Sequence, residues 1–170
     1  VTKPLSIDQL GAPSANILRT DSPIVGVLVE QHERRLVAMQ HVAEGTRLFR
    51  IEGQETETPS RHSLQVGWNL HLDQSCARDP NDRVARFYWR YMNHHCEPTT
   101  VIRDRDVVAL RHVVPGDGIT FDYNTTEYEL AEPFECRCGS ARCVGVVRGA
   151  RHLTPAQRVR LEPWLPDYLR

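Results

Sequence analysis

Lysine is almost missing from this chain: of 21 basic residues only Lys3 is a lysine, and the rest are arginine. Residue usage is a weak functional signal, and this bias reads first as the codon usage of a GC-rich genome. Net charge is missing too. A formal charge of −1 provides no global basic field of the kind that marks a nucleic-acid surface, so no direct nucleic-acid partner is expected. No apolar run approaches the ~18 residues that a membrane helix needs. Val1-Thr2-Lys3-Pro4-Leu5 contains no apolar h-region, so no secretory signal is expected there. Internal repeats and low-complexity tracts are absent. Cysteine is sparse and odd in number, at five. Without a secretory signal, an odd count argues against a disulfide framework and for metal or chemistry. These absences together predict an intracellular protein, cytoplasmic if bacterial and nuclear if eukaryotic.

What is present is ordinary globular composition, 40% apolar and 25% charged over 170 residues, enough for one domain with a core and a short appendage. Residues 1–22 mix Pro, Ser, Gly and Asn and read as a loosely packed arm. From Ile24 onward short β-branched runs alternate with turn signals. Strands are predicted over 24–29, 35–39, 47–51, 63–66, 68–72, 100–103, 107–110 and 119–123. Asp79-Pro80-Asn81-Asp82 can cap a helix running through Asn93, with Val84, Phe87, Tyr88 and Tyr91 as its apolar residues. Thr154-Pro155-Ala156-Gln157 has an N-cap, a proline at N1 and a glutamine at N3, which predicts a short helix over 155–162 stopped by Pro163. The fold class is therefore mainly β with short helices.

Cys136, Cys138 and Cys143 form a C-x-C-x4-C cluster, with Gly139 and Ser140 permitting the turn that lets three thiols converge. A structural zinc site closes with four ligands, so a distant residue must supply the fourth. Cys96, Cys76 and the histidines are the candidates. His95, beside Cys96, reads as a packed or exposed histidine, because four cysteines already complete a zinc shell.

Asn93-His94-His95-Cys96-Glu97-Pro98-Thr99 resembles the N-H-S-C-x-P-N motif of SET-domain lysine methyltransferases. Gly116-Asp117-Gly118-Ile119-Thr120-Phe121-Asp122-Tyr123 resembles their G-E-E-L-T-x-D-Y motif, and the cysteine trio resembles their post-SET element. Three motifs in the family's order form a specific signal, and the likeness covers roughly residues 24–147. It implies a SET-type β-clip fold with a pseudoknot-like crossing near Asn93. It also implies an organisation into an arm (1–22), a SET domain (23–130), a post-SET zinc segment (131–149) and a helical tail (150–170). Cys96 is then the fourth zinc ligand beside Cys136, Cys138 and Cys143, with Cys76 left as an ordinary thiol.

The resemblance implies S-adenosylmethionine as cofactor, held by Asn93 and His94 with Arg90 and Tyr91 lining the same pocket. The substrate would be a lysine-containing protein or peptide, a histone among the options. Tyr123 would supply the hydroxyl that orients the amine and the methyl. Phe121 matches the channel position that tunes methyl number, where a phenylalanine leans towards di- or trimethylation. The family's glycine-rich cofactor loop should fall near residues 32–38, and both of its glycines are replaced here, so either Arg35 follows a similar backbone path at some cost or the cofactor loop differs. Thr99 replaces the motif's second asparagine, and Gly118 replaces its second acid. These departures favour the main alternative, a catalytically inactive SET-fold interaction module that keeps the zinc. A zinc ribbon touching nucleic acid through Arg137, Arg142, Arg148 and Arg151 is a third reading; arginines near one zinc are more often a solvated rim.

Overall fold

The computed structural model describes residues 16–31 and 33–170. The chain builds a set of small sheets rather than one large one. β1 (Ile17–Arg19), β2 (Val25–Glu30) and β3 (Glu33–Ala38) pair antiparallel in that order, with Val27 opposite Leu36 and both buried. Of the expected arm, residues 1–15 lie outside the described residues, whereas Ile17–Arg19 is the edge strand β1. β4 (Arg47–Arg50) follows. β5 (Gln54–Thr56), β6 (Leu64–Gly67) and β7 (Leu70–Asp73) then form a separate sheet ordered β5-β7-β6.

Helix α1 (Pro80–Arg86) begins as expected: the Asp79 side chain accepts from the N–H groups of Asn81 and Asp82, and Pro80 needs no hydrogen-bond acceptor there. It does not run through Asn93. The chain leaves the helix at Phe87 and makes a 3-10 turn over Tyr88–Tyr91. The reason lies in the aromatic run. Phe87, Trp89 and Tyr91 are all buried, a spacing of two that a helix of period 3.6 would spread around its circumference. Tyr88 meanwhile packs edge-on against Phe49 at 5.0 Å.

β8 (Asn93–His94) comes next, then β9 (Thr100–Arg103) and β10 (Asp106–Ala109), which pair antiparallel and continue onto β4. β11 (Thr120–Phe121) pairs parallel with β8, setting Asn93 opposite Thr120 and His94 opposite Phe121. The expected strand 119–123 is cut short because the Asp122 carboxylate accepts from Asn124 N–H and starts a 3-10 turn over Tyr123–Thr125. Thr99 has a structural task here. Its hydroxyl donates to Gly118 O and accepts from Thr120 N–H, both at 2.9 Å, fastening the start of β9 to β11.

β12 (Phe134–Glu135) and β13 (Val146–Val147) form a hairpin whose loop carries the cysteine trio. Helix α2 (Pro155–Leu161) has the complete capping box of Thr154 and Gln157. Pro163 does not end the helical region: 3-10 turns follow over Glu162–Trp164 and Asp167–Leu169, because Leu161, Leu165 and Leu169 continue to bury side chains at intervals of four. The main core gathers Val27, Leu36, Ile51, Leu72, Phe87, Met92, Val107 and Ile119 from most of the sheets. The fold is mainly β, as expected.

Candidate active site and thiol cluster

The parallel β8–β11 pair assembles the site. Beyond it, His95 N–H donates to Phe121 O at 3.1 Å, and Tyr123 N–H donates to the His94 Nδ1 at 3.2 Å. Nδ1 is thus an acceptor, which puts the ring proton of a neutral imidazole on Nε2. Burial lowers His94 to about 4, with His95 adding to the effect, so the ring is neutral near pH 7 even with Asp122 Oδ1 at 3.6 Å. The Tyr123 hydroxyl donates its one proton to Met92 O at 2.8 Å. Burial pushes this phenol up to about 12, with Glu127 adding to the rise. Tyr123 is therefore a protonated hydroxyl whose oxygen lone pairs remain free to accept.

Tyr123 stands in the wall of a cavity of about 780 Å³, within the range of small-molecule sites. Arg90, Tyr91, Asn93, His94 and Phe121 line the same cavity, so the side chains singled out in the sequence for cofactor and channel converge on one space. The Phe121 ring lies 4.7 Å from that of Tyr123. The Tyr91 hydroxyl accepts from both Arg34 and Arg90 at 3.5 Å. Cofactor-loop residue His32 lies outside the described residues. Arg35 is not strained: it belongs to regular β3, pairs with Glu30 at 3.1 Å, and has no positive φ.

Sequence reasoning missed Phe134, Arg34 and Glu127. Phe134 closes the cavity with its ring 5.8 Å from His94 and 6.0 Å from Tyr123. An aromatic two residues before the first cysteine of the trio was the available signal. Arg34 sits between the replaced glycines, where the motif leaves no side chain to expect. Glu127 is the first carboxylate after Tyr123.

The four predicted sulfur ligands meet. The Sγ atoms of Cys96, Cys136, Cys138 and Cys143 all lie within 4.8 Å of one another, and Cys96 Sγ is 3.8 Å from Cys136 Sγ. A tetrahedron with Zn–S bonds of ~2.3 Å has S···S edges of about 3.8 Å, so this donor set fits a tetrahedral metal. Charge is unevenly shared among the thiols. Burial pushes Cys96 well above the usual thiol range and Cys136 to about 11. At Cys138 burial is outweighed by hydrogen bonds from the Cys96 and Ser140 backbone and from neighbouring thiols, which bring it down to about 6. Val144 N–H points at Cys96 Sγ from 3.4 Å, and Ser140 Oγ donates to the Glu97 carboxylate at 2.6 Å, so one of the loop's ties to the β8–β9 connection involves no sulfur. Cys76 is exposed and stands apart from the cluster. His95 is outside it as well; its Nδ1 accepts from Glu97 N–H instead.

Among known proteins, the family model described as SET domain matches residues 33–124, more than half of the chain. The chain is 33% identical over 91 residues to the methyltransferase flvH of Aspergillus flavus, covering 46% of this chain and 48% of that protein. It is 30% identical over 103 residues to the histone-lysine N-methyltransferase ash1 of Drosophila melanogaster, covering 55% of this chain and 4% of that one. The chain thus spans about half the length of the first of these curated relatives and a small part of the second. Among solved structures it resembles KRYPTONITE in complex with mCHH DNA, H3(1-15) peptide and SAH, with a TM-score of 0.51, 15% identity, and coverage of 67% of this chain and 27% of that one. That likeness concerns the fold. Among the described residues no helix is long and apolar enough to cross a membrane.

Proposed function

The chain belongs to the SET-domain family, and from that premise we propose that it transfers a methyl group from S-adenosylmethionine to the side-chain amine of a lysine in a protein or peptide substrate. One observation carries the reading: a buried Tyr123 hydroxyl, its proton committed to Met92 O, faces the cavity that Asn93, His94 and Phe121 share. Bound there, S-adenosylmethionine supplies an electrophilic methyl on a sulfonium. Asn93 and His94 would hold its polar end, with Arg90, Tyr91 and Phe134 lining the same cavity.

The chain's own task is to align and desolvate. Free lysine has a pKa of ~10.4, so well under about 1% is neutral near pH 7–8. A dry aromatic wall of Phe121 and Tyr123 disfavours the ammonium. The free lone pairs of the Tyr123 oxygen accept from the amine N–H or from the polarised methyl, which holds the reacting atoms in line. With its phenol held near 12, Tyr123 orients and does not deprotonate. A phenylalanine at 121 brings no hydroxyl to hold a water in the channel, which favours di- or trimethylation. A structural zinc on Cys96, Cys136, Cys138 and Cys143 would tie the 131–149 segment to the motif that holds the cofactor, making loop folding and site completion one event. The working units are the SET domain (23–130) with β1 added at its edge, the zinc segment (131–149) and the helical tail (150–170), and the location is intracellular.

Calorimetric titration with S-adenosylmethionine, followed by incubation of labelled cofactor with protein and histone-peptide arrays, tests the reading. Binding and label transfer to lysine are expected. Cofactor binding without transfer to any substrate favours the inactive module, and no binding at all ends the proposal. With a substrate in hand, Tyr123→Phe is expected to lose about 10²–10³-fold in kcat, the usual cost of one positioned hydroxyl. Near wild-type turnover removes Tyr123 from the mechanism.

A further inference from the structure

An orienting phenol held near 12 leaves the proton of the substrate ammonium without an acceptor. One carboxylate stands in the right place. Glu127 lines the same cavity as Tyr123, one turn further along the chain, and its N–H donates to Tyr123 O at 3.0 Å. Its Oε1 accepts from the β6 backbone N–H of Gln65 at 2.8 Å, which fixes the direction of the carboxyl group. Among the described residues no guanidinium or ammonium is paired with it; the groups acting on it are burial, Gln65 and Thr126.

The wall behind Glu127 is braced from two sides. Gln65 Oε1 accepts from Tyr128 N–H at 2.8 Å, and the Tyr168 hydroxyl from the C-terminal tail reaches Gln65 O at 2.9 Å and Thr126 O at 3.0 Å. Gly149, at φ +107°, passes so close that a Cβ there would lie 2.6 Å from Tyr128 O. A partly buried carboxylate without a cation, held this firmly in a cavity wall, is costly unless a ligand uses it.

We propose that Glu127 accepts the proton of the substrate's ammonium, an inference that rests on the lysine-methyltransferase reading of the same cavity. An N–H bond of the ammonium breaks, its electron pair stays on nitrogen, and the proton passes to Glu127. The freed pair forms the new N–C bond as the S–C bond of the methyl donor breaks and its electrons remain on sulfur. The product leaves as a methylated ammonium with the neutral thioether, and Glu127 returns its proton to water. Mono- and dimethyl-lysine still carry an N–H and can repeat the step.

Burial raises this carboxyl to about 7, the range in which a base is both unprotonated and strong enough at neutral pH. The titratable groups around it are Tyr123 on its own segment and Tyr168 from the tail, both held protonated by burial. Across the cavity stand Arg34 of β3, Arg61 and His62 before β6, Arg90 of the 3-10 turn, and Glu132 and Arg137 towards the thiol loop. Arg61 is occupied by Glu132 at 3.6 Å, and burial lowers His62, so neither turns the local charge near pH 7.

The test compares wild type and Glu127→Gln, which retains an oxygen for Gln65 N–H, in steady-state transfer to a lysine peptide at saturating cofactor from pH 5.5 to 9. Wild-type kcat/KM is expected to fall as pH drops through about 7, as Glu127 takes up its proton. In Glu127→Gln that inflection should vanish, kcat should drop by about 10²-fold, and only the rise from lysine's own titration should remain. Calorimetric cofactor affinity should stay within about twofold. Folding is checked by melting: a carboxyl raised from 4.5 to about 7 loses stability as pH rises through that window, so the variant should melt no lower than wild type at pH 8. A folded variant with unchanged turnover and an unchanged pH profile overturns the inference. A wild-type protein that transfers methyl to no lysine overturns the function proposed above, and this step with it.

Discussion

Two segments follow the last motif of the domain, and they are held by different physics. The hairpin loop over 133–147 is exposed along most of its length, and among its residues only Val147 is fully buried. Its anchors include four sulfurs, contacts of Ser140 and Arg142 with Glu97, a hydrogen bond from Arg160 of the tail to Arg142 O, and a short two-strand ladder. The tail over 150–170 buries Ala150, Leu161, Leu165 and Leu169, and sends the Tyr168 hydroxyl to two backbone carbonyls. Burial of apolar surface holds the tail without a cofactor, at about 25 cal/mol per Å². The thiol loop has little of this term, from Val147 and from Phe134 packed on His94 and Tyr123. Both segments adjoin the same cavity wall, so the site leans on one element gathered around four thiols that fit a metal and on one held by apolar packing.

The largest expected effect breaks this comparison directly. Zinc removal by a strong chelator should abolish amide protection over 133–147 and weaken cofactor binding, while amides of 155–169 stay protected. Structural zinc contributes on the order of 10 kcal/mol in small domains, and Cys96→Ser should act in the same direction. Hydrogen exchange read by mass spectrometry checks both; equal loss in the two segments would erase the distinction. A metal-to-protein ratio of one belongs to the same expectation.

A smaller effect sharpens it from the other side. Leu165→Ala removes a side chain buried in the tail's own cluster and should cost about 2–5 kcal/mol, seen as a lower melting temperature with zinc content unchanged. Smallest is Tyr168→Phe, which removes the single hydroxyl proton that Gln65 O and Thr126 O share. It should cost roughly 1–3 kcal/mol and lower kcat more than it alters cofactor affinity, because it loosens the wall that carries Glu127. Unchanged kinetics in a destabilised Tyr168→Phe protein would make the tail a brace for the fold alone.

Local chemistry was legible where a few adjacent residues decide the outcome. The Asp79 cap, the Thr154–Gln157 box and the strand over 100–103 needed only neighbours along the chain. The density of the cysteine trio pointed to a thiol cluster, and the likeness to a family supplied Cys96 as its fourth member. The helix read through Asn93 failed because burial of Phe87, Trp89 and Tyr91 is a demand from the surrounding core, which a hydrophobic count along one segment does not reveal. Phe134, Arg34 and Glu127 were missed for the same reason: each reaches the cavity from a different element.

By itself the order of residues determined the class of fold, the motifs and the thiol trio, because these rest on periodicity, capping and short-range spacing; Cys96 joined them through the likeness to a family. Tertiary structure alone decided that the Tyr123 proton is spent on Met92 O and that Arg35 lies in an unstrained strand. It also decided that Glu127, which no cation pairs with among the described residues, lines the same cavity as the phenol. Those outcomes depend on distances between segments far apart in the chain, and Coulomb and desolvation energies act through space rather than along the backbone.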